Sequence, residues 1–149
     1  MAHAQQQILD ALQALLIAGA TAAAGRVFVD RVDPLQANEL PAILIEEGDN
    51  GEQVETVMLG GHERRELNVV INCVLAASST AAADARAFGL AAEKLVYPNA
   101  ALQLLAKFGS RLTESRLVMI GDGDRLLAAR VQTWRIAYLV NPTAPDVIL

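Results

Sequence analysis

The stretch "HERRELNVVINCVLAA", at residues 62–77, decides the predicted fold. Its apolar side chains alternate with its polar ones, and a period of two indicates a long strand with one buried face. Such a strand needs further strands beside it and helices over its apolar face, and the flanking sequence is expected to supply both. The residues predicted to share the buried face are Leu67, Val69, Ile71, Cys73 and Leu75.

After this strand, the sequence predicts two helices and a hairpin. "SSTAAADARAFGLAAEKLVYP" indicates a helix capped by Ser79 or Thr80 and ended by Pro98. "NAALQLLAKFG" indicates a short helix with Asn99 as its cap and Gly109 as its stop. "RLTESRLVMIGDGD" and "RLLAARVQTWRIAYLVN" then form a hairpin that turns at residues 121–124. The tail "PTAPDVIL" is interrupted by prolines and is expected to be exposed and flexible from about residue 141.

Before the strand, "MAHAQQQILDALQALLIAGA" predicts an amphipathic helix that Gly25 closes. It begins without Lys or Arg and carries Asp10, so we expect a helix rather than a secretory signal. "RVFVD" and "AILIEE" indicate two strands on either side of a linker that contains Pro34 and Pro41. The glycine-rich residues 48–51 predict a hairpin turn, and "EQVETVML" predicts a projecting arm.

Together these elements predict one domain over residues 1–149, with an α+β fold. We expect a mostly antiparallel sheet with two main helices packed on one face and a projecting β-hairpin arm. No apolar run approaches the roughly 20 residues that a bilayer span requires, although the mean hydropathy is +0.30. The sequence therefore predicts no membrane partner.

Charge and cysteine content restrict the function further. The formal net charge is −5, so we expect no sequence-specific nucleic-acid binding and no attraction to phosphate backbones. The one cysteine, Cys73, excludes an internal disulfide and a multi-cysteine zinc site, and its apolar surroundings favour a buried, unreactive thiol. This composition fits synthesis in a reducing cytoplasm.

Catalytic patterns are weak throughout the chain. His62 and Glu63 are adjacent in a predicted strand, so their side chains point to opposite faces and do not converge. The "GDGD" turn at residues 121–124 is typical of a hairpin, with weak divalent binding as the alternative. The glycines at 48, 51, 60 and 61 lack the strand–glycine–helix order of a phosphate site. We predict no enzymatic activity, no catalytic residue, no metal site and no cofactor.

Two charged clusters are the remaining candidates for a functional site. Glu46, Glu47, Asp49 and Glu52 form an acidic cluster, and residues 63–66 form a mixed one that contains Arg64 and Arg65. Each cluster is either a solvated rim or a polar oligomer interface.

Several segments, taken in order, resemble one family. "GRVFVDRV", "ELPAILIEE", "RRELNVVINCVL", "KLVYP" and "RVQTWRIAYLV" resemble the tail terminator (minor tail protein U-like) family of long-tailed bacteriophages and prophages. The resemblance covers nearly the whole chain and rests on the order and spacing of segments. It implies a structural virion protein that caps the tail tube as a hexameric ring, stops tube polymerisation and forms the joint to the head connector.

The resemblance also implies partners and a location. The partners are further copies of the chain, the major tail tube protein and the head connector protein, and the location is the virion tail, assembled in the bacterial host cytoplasm. A closed ring needs two different patches on each subunit. We expect Glu46, Glu47 and Asp49 of one copy to meet Arg64 and Arg65 of the next. DNA would pass through the ring, and an acidic lining would repel it.

Three alternatives stay open. A head–tail connector or tail completion protein shares this size and fold class. A small ferredoxin-like enzyme or ligand-binding domain would show a pocket with converging polar groups. An adaptor domain would offer an exposed groove or a strand edge to a peptide.

Overall fold

The computed structural model describes residues 2–56, 60–97, 99–122 and 125–149, and within them the fold is α+β, as predicted. The strand order is β1-β2-β3-β5-β4, with β6 paired to the remaining edge of β5. β1 and β2 run parallel, and the other paired strands run antiparallel. In chain order the elements are α1 (Ala4–Ala18), β1 (Val27–Val29), a 3-10 turn (Ala37–Glu39), β2 (Ala42–Thr56), β3 (Glu63–Ala76), α2 (Ala81–Val96), α3 (Ala100–Leu105), β4 (Ser110–Asp122), β5 (Arg125–Asn141) and β6 (Ala144–Ile148).

The central strand β3 confirms the predicted alternation. Leu67, Val69, Ile71, Cys73 and Leu75 are all buried on one face. β5 lies antiparallel beside it and adds its own apolar face. The buried residues on this face of β5 are Trp134, Ile136, Tyr138 and Val140.

Helices α1 and α2 cover this apolar face. α1 buries Ile8, Leu12 and Leu16, and α2 buries Phe88. Each such side chain contributes roughly 1.5–3 kcal/mol when it leaves water, so the helices and the sheet stabilise each other through one core. The opposite face of the sheet carries no helix from the described part of the chain, and we call it the open face.

β2 departs from the prediction. The glycine-rich residues 48–51 do not form a hairpin turn but a bulge inside one strand, with the register shifting between Glu47 and Glu52. Gly51 has a φ of +57°, and its carbonyl accepts a hydrogen bond from the buried Asn68 Nδ2 at 2.9 Å. Because Asn68 satisfies the bulge, β2 continues past it and pairs with β3 as the projecting arm. The chain reverses near Gly60 and Gly61 instead, which both have positive φ.

The helix ends agree with the prediction in part. α1 ends at Ala18, so the prediction that Gly25 closes it is wrong. Gly19 occupies the capping position, and a Cβ there would lie 2.2 Å from Leu95 Cδ1, so a glycine lets the end of α1 approach α2. Thr80 occupies the N-cap position of α2, but its side chain caps no amide and donates to Asp84 instead. The cap at Asn99 is confirmed, because its Oδ1 accepts from the Leu102 amide at 2.9 Å, whereas α3 ends at Leu105, so the prediction that Gly109 stops it is wrong. Pro98 lies outside the described residues.

The C-terminal segment is ordered, so the prediction of a flexible tail is wrong. β4 pairs with β5 only as far as Ile136, which leaves the last part of β5 with an open edge. β6 pairs with that edge, with Val140 opposite Ile148. Gln7 Nε2 of α1 also donates to the Asp146 carbonyl at 2.6 Å. Pro145 is tolerated because β6 is an edge strand that needs few of its own amide donors.

Candidate functional site

Arg64 and Arg65, predicted as one interface pair, lie on opposite faces of the sheet because adjacent strand residues alternate. Arg65 faces the helices. Its Nη2 lies 2.9 Å from Glu63 Oε2, and its Nη1 lies 3.4 Å from Glu52 Oε2. The Arg65 side chain therefore lies on the helix-facing side of the arm, where it is paired with Glu52 and Glu63.

Glu52 forms the centre of this internal polar network. Its carboxylate accepts hydrogen bonds from Gln5 Nε2 at 2.8 Å and from the Tyr138 hydroxyl. Burial and the neighbouring Glu52 carboxylate raise the pKa of Tyr138, so the hydroxyl stays a donor at neutral pH. Burial alone would lower the pKa of Arg65, but the hydrogen bond to Glu63 and the charge of Glu52 raise it. The network fixes the start of α1 to the arm and to β5.

Arg64 faces the open side, where it meets two arginines that the sequence analysis did not single out. Arg64, Arg111 and Arg135 line a cavity of about 160 Å³, which we call the arginine pocket, together with Glu66 and Phe108. Arg64 Nη2 and Arg135 Nη1 lie 3.3 and 3.5 Å from the Glu66 carboxylate. The Arg64 guanidinium carbon also lies 5.6 Å from the centre of the Phe108 ring, a cation–π contact.

The acidic residues of the prediction lie elsewhere. Glu46, Glu47 and Asp49 are exposed on and beside the β2 bulge, and we call them the acidic turn. Glu46 accepts one hydrogen bond from Asn72 Nδ2 at 3.4 Å, and no ion pair joins the acidic turn to an arginine among the described residues. Within one copy, the structure therefore does not bring the acidic turn and Arg64 together.

Side chains that could take part in catalysis or metal binding are scattered or buried. Cys73 is buried as predicted, and burial raises its pKa to about 12, so it is a neutral thiol at physiological pH. No three His, Cys, Asp or Glu side chains form a metal-binding group within the described ranges. The last two residues of the "GDGD" turn, Gly123 and Asp124, lie outside those ranges. None of the described helices is long and apolar enough to cross a bilayer.

Two apolar surface features were not predicted. Met119, Ile120 and Leu126 are exposed near the end of the β4–β5 hairpin, and we call them the apolar hairpin end. A groove of about 620 Å³ lies beside α2, and we call it the α2 groove. It is lined by Leu40, Pro41, Leu75, Asp84 and Phe88, among others. Single-sequence patterns do not reveal these features because each depends on which apolar residues the fold leaves uncovered.

Comparison with known proteins gives a distant structural similarity. No protein-family model matches the chain, and no curated protein matches it. Among solved structures, a chain described as "Virion of native gene transfer agent (GTA) particle" is 17% identical, with a TM-score of 0.44. The match covers 89% of this chain and 90% of that chain. A similarity this distant assigns no function.

Proposed function

We propose that the protein is a structural component of a phage-like virion that closes the end of a tail tube as a ring. The ring is a hexamer that stops polymerisation of the tube protein and forms the joint to the head connector. Assembly takes place in the bacterial cytoplasm, and the protein performs no catalysis. The order of sequence segments that resembles tail terminators suggests this role, and the surface of the molecule supports it.

The observation that carries the proposal is the apolar hairpin end. Met119, Ile120 and Leu126 have 54%, 41% and 63% of their surface exposed. β3 ends at Ala76, opposite Leu127, and the Ala77 amide donates to the Leu126 carbonyl at 2.9 Å, so these apolar residues lie at the margin where the pairing of β3 with β5 ends. Met119 and Leu126 line one shallow surface pocket with Ala77 and Ser78, whereas Ile120, adjacent to Met119 in the strand, faces the other side of the sheet. Exposed apolar side chains paired in this way are typical of a protein–protein contact. We assign this contact to the end of the tail tube.

The edge of the sheet supports assembly as well. β4 spans 13 residues, and no further strand of the described chain lies on its outer side. An edge of this length carries unpaired backbone N–H and C=O groups, which natural proteins cover, charge or use in assembly. A subunit that works only inside a virion has neighbours available to cover such an edge.

The test is capping of purified tail tubes. Wild-type protein is expected to form a six-fold ring by native mass spectrometry and electron microscopy, and to block extension of tubes. Met119→Ser/Leu126→Ser removes two apolar contacts worth roughly 1.5 kcal/mol each, so we expect tube affinity to fall about 100-fold while the fold is kept. Val32→Ser, at a side chain that is 94% exposed elsewhere, is the matched control.

Two results would contradict this proposal. Wild-type protein that neither forms rings nor binds tube ends is not a terminator. Protein that binds head connectors but does not affect tube extension is instead a head–tail connector or completion protein, the alternative with the same fold class.

A ligand-binding domain is the second candidate, and the α2 groove favours it. The groove volume of about 620 Å³ lies within the range of small-molecule sites, and its apolar lining includes a single carboxylate, Asp84. This candidate predicts that mass spectrometry of the intact purified protein finds a bound apolar molecule. It also predicts that Ala91→Trp, which fills the groove, removes that mass. Tube capping unchanged by Ala91→Trp would favour the structural role.

A further inference from the structure

The arginine pocket holds more positive charge than its own chain neutralises. The register of the sheet places Arg111 of β4 directly opposite Arg135 of β5. Like charges directly opposite each other destabilise an antiparallel pair. Arg64 pairs with Glu55 as well as with Glu66, and Arg135 shares the Glu66 carboxylate. Arg111 makes no hydrogen bond or ion pair with the residues that the structure describes, so three arginines face two carboxylates. An incoming carboxylate would relieve this repulsion.

The acidic turn has the complementary charge and lies on the other margin of the sheet. Three strand spacings of roughly 4.8 Å separate β2 from β4, so the acidic turn and Arg111 are about 14 Å apart across the sheet. The acidic turn lines a cavity of about 360 Å³ that also reaches Arg116 of β4, but no ion pair joins it to Arg116 or Arg111 among the described residues. Glu46, Glu47 and Asp49 are exposed, so they are free to contact another molecule.

We propose that the arginine pocket of one copy binds the carboxylates of the acidic turn of a second copy. This inference rests on the proposed ring, because it names the contact that joins neighbouring subunits. Each copy supplies the pocket on its β4 margin and the acidic turn on its β2 margin, so the contact joins two different patches, as a closed ring requires. Arginine suits this role because its planar guanidinium binds a carboxylate through two hydrogen bonds. Arg65 takes no part, since it faces the helices.

Charge reversal tests the contact. Arg111→Glu/Arg135→Glu reverses the pocket, and Glu46→Lys/Glu47→Lys/Asp49→Lys reverses the acidic turn. Each variant alone sets like charges against each other, so we expect the concentration for half-assembly to rise at least tenfold. In an equal mixture every pocket meets a turn of opposite charge, so alternating assembly is expected to return near the wild-type concentration.

Matched controls separate this effect from net charge and folding. Arg86→Glu/Lys94→Glu lowers the net charge by four units, as the pocket variant does, at exposed positions of α2, and is expected to assemble like wild type. Thermal unfolding of each variant confirms that it folds. Assembly of both reversed variants at the wild-type concentration would overturn the inference, and so would a mixture that fails to recover although both proteins fold.

A cross-link tests the contact without requiring a closed ring. Ser110→Cys introduces a thiol at the pocket, and Asn50→Cys introduces one beside the acidic turn, while the native Cys73 is buried. Mild oxidation of the mixed variants is expected to give mainly the 110–50 dimer. Mixing Ser110→Cys with Ala83→Cys, exposed on α2, controls for random collision.

The outcomes distinguish the inference from the proposed function. Tube capping without the 110–50 cross-link overturns the contact and leaves the terminator role standing. The cross-link without tube capping supports the contact and overturns the terminator role. Absence of both overturns both.

Discussion

Two arginines that are neighbours in sequence take different roles because a strand turns alternate side chains to opposite faces. Arg65 lies with Glu52 and Glu63 in a partly buried network, where removing any member leaves a half-buried charge without one of its partners. Arg64 is on the open face, beside Arg111 and Arg135. A substitution at Arg65 therefore tests folding, whereas substitutions at Arg111 and Arg135 test assembly.

Cys73 makes the free energy of unfolding depend on pH in the alkaline range. An unfolded thiol has a pKa of about 8.5, whereas burial raises that of Cys73 to about 12. The stability that the buried thiol contributes is fully present below the pKa of the unfolded thiol. It is lost as pH rises through the pKa of the folded thiol, because the unfolded thiol ionises first. Between pH 7.5 and 9.5 we expect the free energy of unfolding to fall by about 1.4 kcal/mol through this group.

Urea denaturation at the two pH values checks this dependence. Cys73→Ala is expected to be less stable at both, since it leaves a cavity, but to lose less stability between them. The window stays below the unfolded pKa of tyrosine, about 10, so Tyr138 contributes little to the difference. Equal losses in the wild type and in Cys73→Ala would show that the thiol is not buried.

Gly51 tests the bulge of β2. Its φ of +57° is costly for a residue with a Cβ, so Gly51→Ala is expected to destabilise the protein by about 1–2 kcal/mol. Gly51→Asn is expected to cost less, because asparagine tolerates the left-handed region better. Gly25→Ala is the matched control, since φ at Gly25 is not positive and a Cβ there meets nothing within 4 Å. Denaturant midpoints measure the stability of both variants. Equal stability of the Gly51→Ala and Gly25→Ala proteins would exclude the bulge conformation.

At the scale of elements, β3 and β5 were predictable because one buried face leaves a period of two in the sequence. The bulge in β2 was not predictable, because residues 48–51 are equally suited to a hairpin turn. The buried Asn68 amide, which lies on β3, favours the bulge over the turn. The arginine pocket was missed for a similar reason. Arg64, Arg111 and Arg135 are far apart in sequence, and only the β3–β5–β4 register brings them together. The role of the acidic turn and Arg64 in an interface stays a prediction.

β6 provides the clearest test at this scale. Deleting residues 142–149 removes its pairing with β5, the Gln7 hydrogen bond to Asp146 and the packing of Ile148 against the core. We expect a loss of roughly 2–4 kcal/mol, from one apolar side chain and a few hydrogen bonds. Val147→Ser, on the exposed side, is expected to change stability by less than about 0.5 kcal/mol. A truncated protein as stable as wild type would mean that the segment does not pair with β5, and urea denaturation of both variants measures this.

At the scale of the whole molecule, the overall charge repels polyanions, whereas the arginine pocket attracts anions locally. The formal net charge of −5 disfavours approach of a polyanion, whereas the arginine pocket concentrates positive charge at one margin of the open face. If acidic turns occupy these pockets in the ring, no arginine pocket stays exposed, and each subunit keeps its formal net charge of −5. DNA could then pass such a ring without adhering to it.

Binding to duplex DNA measures this balance. Wild-type protein is expected not to retard DNA in a gel at about 100 mM salt, because phosphate binding requires a net gain from several cations at once. Glu46→Lys/Glu47→Lys/Asp49→Lys changes the charge by six units and is expected to retard DNA, with an affinity that falls steeply as salt rises. Retardation by wild type that Arg111→Glu/Arg135→Glu abolishes would assign the pocket to phosphate instead of carboxylate. The acidic turn would then act as a barrier to DNA rather than as the partner of the pocket, and the ring would need a different subunit contact.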